Sequence, residues 1–149
     1  SGQWLGMGRI WVGATCCGKA ERMMEMATEW AANRKQFGKP IGSFQATGFR
    51  LADMAIGLRT ADLLVADAVQ RADAGYMMDM DAAMVKVHCS EMLHKVADDT
   101  VQIFGGLGLM EELPIQRLWR DSRLERIWDG TSDIQRHIIT RSILRPLGA

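Results

Sequence analysis

The sequence predicts an all-α fold, an antiparallel helical bundle of the four-helix up-and-down type with an additional C-terminal helix. Three observations carry that expectation. Apolar and small residues recur every three or four positions along three long stretches. No stretch alternates convincingly with period two, and glycines and prolines punctuate the intervals between stretches. With 149 residues the chain has the size of one domain, which buries roughly 68–70% of the surface its unfolded form exposes.

The first helix is predicted from about Met7 to Asn33, with Ile10, Ala14, Cys17, Ala20, Met24, Ala27 and Ala31 on its buried face. Arg34 to Gly42 contains Gly38, Pro40 and Gly42 and reads as a basic loop. Ser43 is the expected N-cap of a second helix whose inward face is Leu51, Met54, Leu58, Ala61, Val65 and Ala68, ending near Gly75. Asp79 or Asp81 starts a third, with Val85, Cys89, Met92, Val96, Thr100 and Ile103 as its stripe until Gly105, Gly106 and Gly108 break it. Pro114 suits the first turn of a fourth helix, which runs through Arg120 and is interrupted around Trp128 to Gly130. Thr131 or Ser132 caps a fifth, from about Asp133 to Leu144, stopped by Pro146.

Composition narrows the function classes. Lys plus Arg and Asp plus Glu are equal at 18 each, so no net field draws nucleic acid or an acidic membrane. The 11 methionines and many alanines are read as core and helix formers. Cys16, Cys17 and Cys89 form no CxxC pair and are expected as buried thiols in a reducing compartment. His88, His94 and His137 lack partners at metal-ligand spacing and are read as structural or surface residues. No apolar run reaches the length of a membrane span and no secretory signal profile opens the chain, so the expected location is cytoplasmic, or the mitochondrial matrix in a eukaryote. The opening Ser-Gly without Met, running at once into helical sequence, suggests a tag remnant followed by a cut from something longer.

Function must come from the three places where helical logic breaks. Arg34-Lys35-Gln36-Phe37-Gly38-Lys39-Pro40 is a helix C-terminus where cations complement the dipole, and equally a set of donors and an aromatic face suited to a phosphate and a ring. Gln102-Ile103-Phe104-Gly105-Gly106-Leu107-Gly108 has more glycines than a helix stop needs, which permits close approach to the backbone. It does not follow a strand, so it is not a dinucleotide fingerprint. In Arg120-Asp121-Ser122-Arg123 followed by Ile127-Trp128-Asp129-Gly130-Thr131-Ser132-Asp133-Ile134-Gln135, Asp129 is either a capping residue or a carboxylate whose proton affinity an apolar setting would raise.

Taken together in this order, R-x-x-F-G, Q-x-F-G-G-x-G, and R-D-x-R followed by aromatic-acid-G-T-S-x-I-Q resemble the C-terminal domain of the acyl-CoA dehydrogenase family, from Met7 to the chain end. That resemblance implies a flavoprotein oxidoreductase of fatty acid metabolism, with an N-terminal helical domain and a middle β-domain beyond this chain, assembled as a homotetramer built from dimers. It implies that Arg34, Gln36, Phe37, Phe44 and Gln45, with Gln102, Ile103, Phe104, Gly105 and Gly106, touch the FAD of a neighbouring subunit. Thr131 and Asp133 would contact the FAD of their own subunit. Arg9 would help bind the CoA thioester, with Gly130 beside the acyl chain, and an electron-transferring flavoprotein would accept the electrons.

In the same resemblance Asp129 is the base that takes the proton next to the thioester carbonyl while a hydride leaves the neighbouring carbon. Most of the family carries glutamate there, and aspartate is shorter by one C–C bond, about 1.5 Å. A minority branch places its glutamate on the first helix, where this chain has Gly8. Glu125 is the weaker candidate base on the approaching segment. The aspartate also opens a nitroalkane oxidase-like reading, since those enzymes share the architecture and deprotonate with aspartate. A third reading is a non-catalytic assembly module, and the isolated chain, lacking half a flavin pocket, is expected to be inactive.

Overall fold

The computed structural model describes residues 2–148. Five α-helices make up most of it: α1 (Gly2–Asn33), α2 (Gln45–Asp73), α3 (Asp79–Phe104), α4 (Ile115–Glu125) and α5 (Ser132–Leu144). Short connections fold the three long helices back on one another, as in an up-and-down bundle. The third is the hub, packing against α1, α2, α4 and α5.

The stripe expected on α3 is buried at all six positions, from Val85 to Ile103. Its first turn carries Asp79 and Asp81, which favour the positive end of the helix dipole, and the Asp81 carboxylate accepts the Met78 N–H at 2.8 Å. On α2, Met54, Ala61 and Ala68 are buried, and Leu51, Leu58 and Val65 pack half-buried against the same core. Helix α1 approaches α3 closely at Gly13, where a Cβ would stand 2.3 Å from the Val85 side chain. A residue with no side chain is what lets the two backbones meet there.

Several expectations require correction. Helix α1 begins at Gly2 rather than near Met7. Ala14 is exposed, because the buried face of α1 is centred on Val12, Cys16, Ala20, Met23 and Ala27, and residue 14 falls past its edge. Ser43 does not cap α2; its hydroxyl donates to the Pro40 carbonyl at 2.7 Å, and Phe44 occupies the N-cap position without a side-chain hydrogen bond. The segment read as a plain loop contains a two-residue hairpin, β1 (Lys35–Gln36) with β2 (Lys39–Pro40), followed by a 3-10 turn at Ile41–Ser43. Of the two candidate caps for α5, Thr131 is the one used, its Oγ1 accepting the Ile134 N–H at 3.3 Å. Cys16, Cys17 and Cys89 are buried free thiols. No helix among the described residues is long and apolar enough to cross a membrane.

Candidate functional site: a clamped turn and an open cleft

Helix α4 ends at Glu125, and the chain turns through Asp129 and Gly130 before α5 begins. Asp129 has φ 53° and Gly130 φ 91°, two consecutive residues in left-handed backbone. Aspartate tolerates that region better than most residues. Position 130 suits glycine because φ 91° is strained for any side chain, and a Cβ there would also stand 2.6 Å from Gln135 Nε2.

Buried donors hold the turn from inside. Lys86 Nζ, on α3, donates to the Glu125 carbonyl at 2.6 Å and to the Gly130 carbonyl at 2.9 Å. Gln135 Nε2 donates to the carbonyls of Asp129 at 3.2 Å and Gly130 at 3.1 Å, and the Ser132 N–H to that of Arg126 at 3.0 Å. Lys86 and Gln135 are both 0% exposed. Burial pushes the Lys86 ammonium below the ordinary lysine range, opposed by the negative charge of Glu125 and Asp129 and reinforced by Arg9. Arg9, Lys86 and Asp129 are therefore electrostatic neighbours across α1, α3 and the turn. The Arg9 Nε is buried with no hydrogen-bond partner among the described residues.

Glu125 is 2% exposed, accepting Lys19 Nζ at 2.5 Å on one oxygen and Trp128 Nε1 at 2.6 Å on the other. Each oxygen thus has a donor, and where the Asp129 side chain is exposed this group is buried. Beneath it the Cys16 thiol is pushed up to about 12, first by burial and then by the Glu125 charge. The Asp129 side chain is exposed, and among the described residues its carboxylate makes no hydrogen bond or ion pair. The apolar setting that would raise its proton affinity is not supplied by the described residues: the Trp128 N–H turns inward to Glu125 and its ring is 42% exposed.

At another place on the bundle, Arg34, Gln36, Ile103, Phe104, Gly105 and Gly106 line one cleft of about 400 Å³ with Trp30, Ile41 and Leu107. Two of the three irregular sequence segments thus form one site. Trp30 and Phe104 stack with ring centroids 5.0 Å apart, and the Arg34 guanidinium lies 5.7 Å from the Trp30 ring centre. A Cβ on Gly105 or Gly106 would meet nothing within 4 Å, so the backbone there is open to a ligand. Beside the cleft, Phe37 (φ 54°) and Gly38 (φ 80°) form the hairpin turn, the positive pair of a type I′ turn. A phenylalanine in left-handed backbone is strained, and its ring is 92% exposed, edge-on to Phe44 at 6.1 Å. The Lys39 ammonium lies 4.4 Å from the Phe44 ring centre. Gln45 and Gln102 are exposed at helix ends and do not line the cleft; Thr131 caps α5, and the exposed Asp133 lies in the first turn of that helix, just past the Asp129 turn.

Sequence reasoning missed Lys86 and the use of Gln135. The available signal for Lys86 was a charged residue on the buried face of α3, between Ala82, Val85, Cys89 and Leu93.

Residues 2–144 match the family described as acyl-CoA dehydrogenase, C-terminal domain. The chain is 41% identical over 140 residues to an acyl-CoA dehydrogenase of Bacillus subtilis, covering 94% of this chain and 37% of that protein. It superposes on butyryl-CoA dehydrogenase from Megasphaera elsdenii with TM-score 0.94 and 38% identity, covering 97% of this chain and 38% of that one. A structure of PigA with FAD and proline matches with TM-score 0.91 and 34% identity over 93% of this chain and 36% of that one. The chain belongs to the acyl-CoA dehydrogenase family and has the fold of its C-terminal domain, and it spans little more than a third of the length of these relatives.

Proposed function

We propose that this chain is the C-terminal helical domain of a flavoenzyme that oxidises an acyl-CoA thioester to its 2,3-enoyl form, with Asp129 as the base. The carrying observation is an unpaired carboxylate presented at the surface by a turn whose backbone is fixed from within. A base needs that combination, a free acceptor in a set place. Asp129 takes the proton from the carbon next to the thioester carbonyl onto a carboxylate oxygen. Arg9, with its unpartnered buried Nε, and Gly130 face the thioester.

The residues of the cleft fit FAD. An arginine fork, an amide at Gln36, open glycine backbone and stacked aromatic rings suit the pyrophosphate and adenosine of a dinucleotide. Arg34, Gln36, Phe37, Phe44, Gln45 and 102–106 would hold the FAD of a neighbouring subunit, and Thr131 and Asp133 that of their own. When bound, FAD supplies the hydride acceptor. This reading makes the enzyme a homo-oligomer, dimer or tetramer, with a helical and a β-domain preceding this one and an electron-transferring flavoprotein as electron acceptor.

The test is anaerobic titration of the full-length flavoenzyme with short, long, branched and cyclic acyl-CoA thioesters while the oxidised flavin absorbance is followed. Bleaching by one class is expected. Asp129→Asn should retain FAD and slow bleaching by about 10²–10⁴-fold, the usual worth of a general base. An unchanged rate refutes the base assignment. The aspartate favours one second reading, nitroalkane oxidation, which bleaching by a nitroalkane and by no thioester would establish.

A further inference from the structure

We propose that Lys86 is a positioning residue, whose buried side chain ties the two ends of the 125–130 turn together and so fixes where the Asp129 carboxylate stands. The catalytic half of this inference rests on the dehydrogenase reading; the mechanical half does not. One nitrogen bonds the carbonyls of Glu125 and Gly130, which bracket Asp129 on either side. That nitrogen comes from α3, the helix packed against all the others, so the turn is referenced to the centre of the bundle and not to the ends of α4 and α5 alone.

The choice of residue is informative. Burying an ammonium is costly, and a methionine of similar length would fill the same volume without desolvating a charge. The lysine is nevertheless 0% exposed, and the hydrogen bonds its ammonium makes go to two backbone carbonyls of the turn it holds. Asp129 and Gly130 occupy left-handed backbone, which persists in a non-glycine residue only where the surroundings over-determine it. Lys86 and Gln135 supply that constraint by fixing the carbonyls of both residues.

The catalytic leverage follows from reach. Aspartate has one C–C bond fewer than glutamate with which to adjust, so its backbone must be right, and a misplacement of about 1 Å costs on the order of 10²-fold in rate. Lys86 itself is too buried to touch substrate.

Lys86→Met in the full-length flavoenzyme tests the idea. FAD content and KM are expected to stay near wild type while the flavin reduction rate falls by at least about tenfold, and in an Asp129→Asn background the same change should cost nothing further. Amide exchange in 126–132 should quicken by about tenfold while the α1 core amides keep their protection. Gln135→Leu should move both readouts the same way but less, and it carries the test if Lys86→Met does not fold. Unchanged exchange in the turn overturns the clamp. Faster exchange with an unchanged reduction rate, or an equal loss in the Asp129→Asn background, overturns the positioning role. If no thioester bleaches the wild-type flavin, the dehydrogenase reading falls, and the exchange result alone decides the clamp.

Discussion

The Asp129 turn and the Arg34 cleft are both breaks in helical sequence, yet they are built in opposite ways. In the turn the carbonyls of Glu125, Arg126, Asp129 and Gly130 all accept hydrogen bonds, three of them from fully buried side chains. Around the cleft, Arg34, Gln36, Gly105, Gly106 and Leu107 are exposed, and Phe37 stands almost wholly in solvent beside them. One region spends buried polar groups to hold a backbone in an unusual conformation. The other leaves groups uncommitted for something outside the chain to complete. The difference separates a site that must aim one atom from a surface that must accept a large molecule.

The comparison breaks hardest at Glu125. Its buried carboxylate pairs with Lys19 and accepts the Trp128 N–H, while its backbone carbonyl accepts Lys86. Glu125→Ala leaves the Lys19 ammonium and the Trp128 N–H without their acceptor, and the unfolding free energy should fall by about 1–3 kcal/mol, the usual cost of leaving such donors unsatisfied. Urea unfolding measures it. A loss below about 1 kcal/mol, the range of an exposed ion pair, would show that the turn is not locked through charge.

How far the sequence revealed these two regions follows from the range of the forces that build them. The α3 stripe was legible because burial repeats with the helical period, so Val85, Cys89, Met92, Val96, Thr100 and Ile103 announce one another. Ala14 was misread because alanine fits either side of a helix and carries little information about burial. The Phe37–Gly38 hairpin was invisible to periodicity, since strands of two residues contain no period. Asp129 was legible as part of a local motif, but its support was not. Lys86 lies 39 and 44 positions from the carbonyls it holds, and no local pattern links them. The two halves of the cleft are likewise separated in sequence and were joined only through the family resemblance.

A gentler perturbation reaches the clamped region through pH. Burial and Glu125 raise the Cys16 thiol from 9.0 to about 12, so in the folded protein it stays protonated where the unfolded chain has already ionised. The folded state then binds more protons, and its stability falls as pH rises. The contribution is complete below about 9 and is lost as pH climbs through that window toward 12. Cys89, buried and likewise raised, first by its Cys17 contact and then by burial, acts in the same direction. Cys16→Ala should therefore flatten part of the alkaline decline in urea midpoint without abolishing it. A decline equally steep in both proteins would place the alkaline sensitivity away from the floor of the turn.

The smallest effect on folding belongs to the cleft, and its smallness is the point. Gly106 has ordinary backbone and open space where a Cβ would stand. Gly106→Ala should change stability by no more than about 0.5 kcal/mol, as at surface positions free of special features. Yet a methyl group there stands in the path of a ligand approaching the backbone, so the full-length flavoenzyme carrying it should retain less FAD after gel filtration. Unchanged stability with reduced flavin content is the signature of a surface reserved for a ligand. Unchanged flavin content would mean that FAD does not approach the backbone at Gly106, and the cleft would lose its strongest structural argument as a dinucleotide site. The substitution therefore sharpens the contrast with the Asp129 turn, where glycine at 130 answers to the fold itself: a Cβ there meets Gln135, not open space.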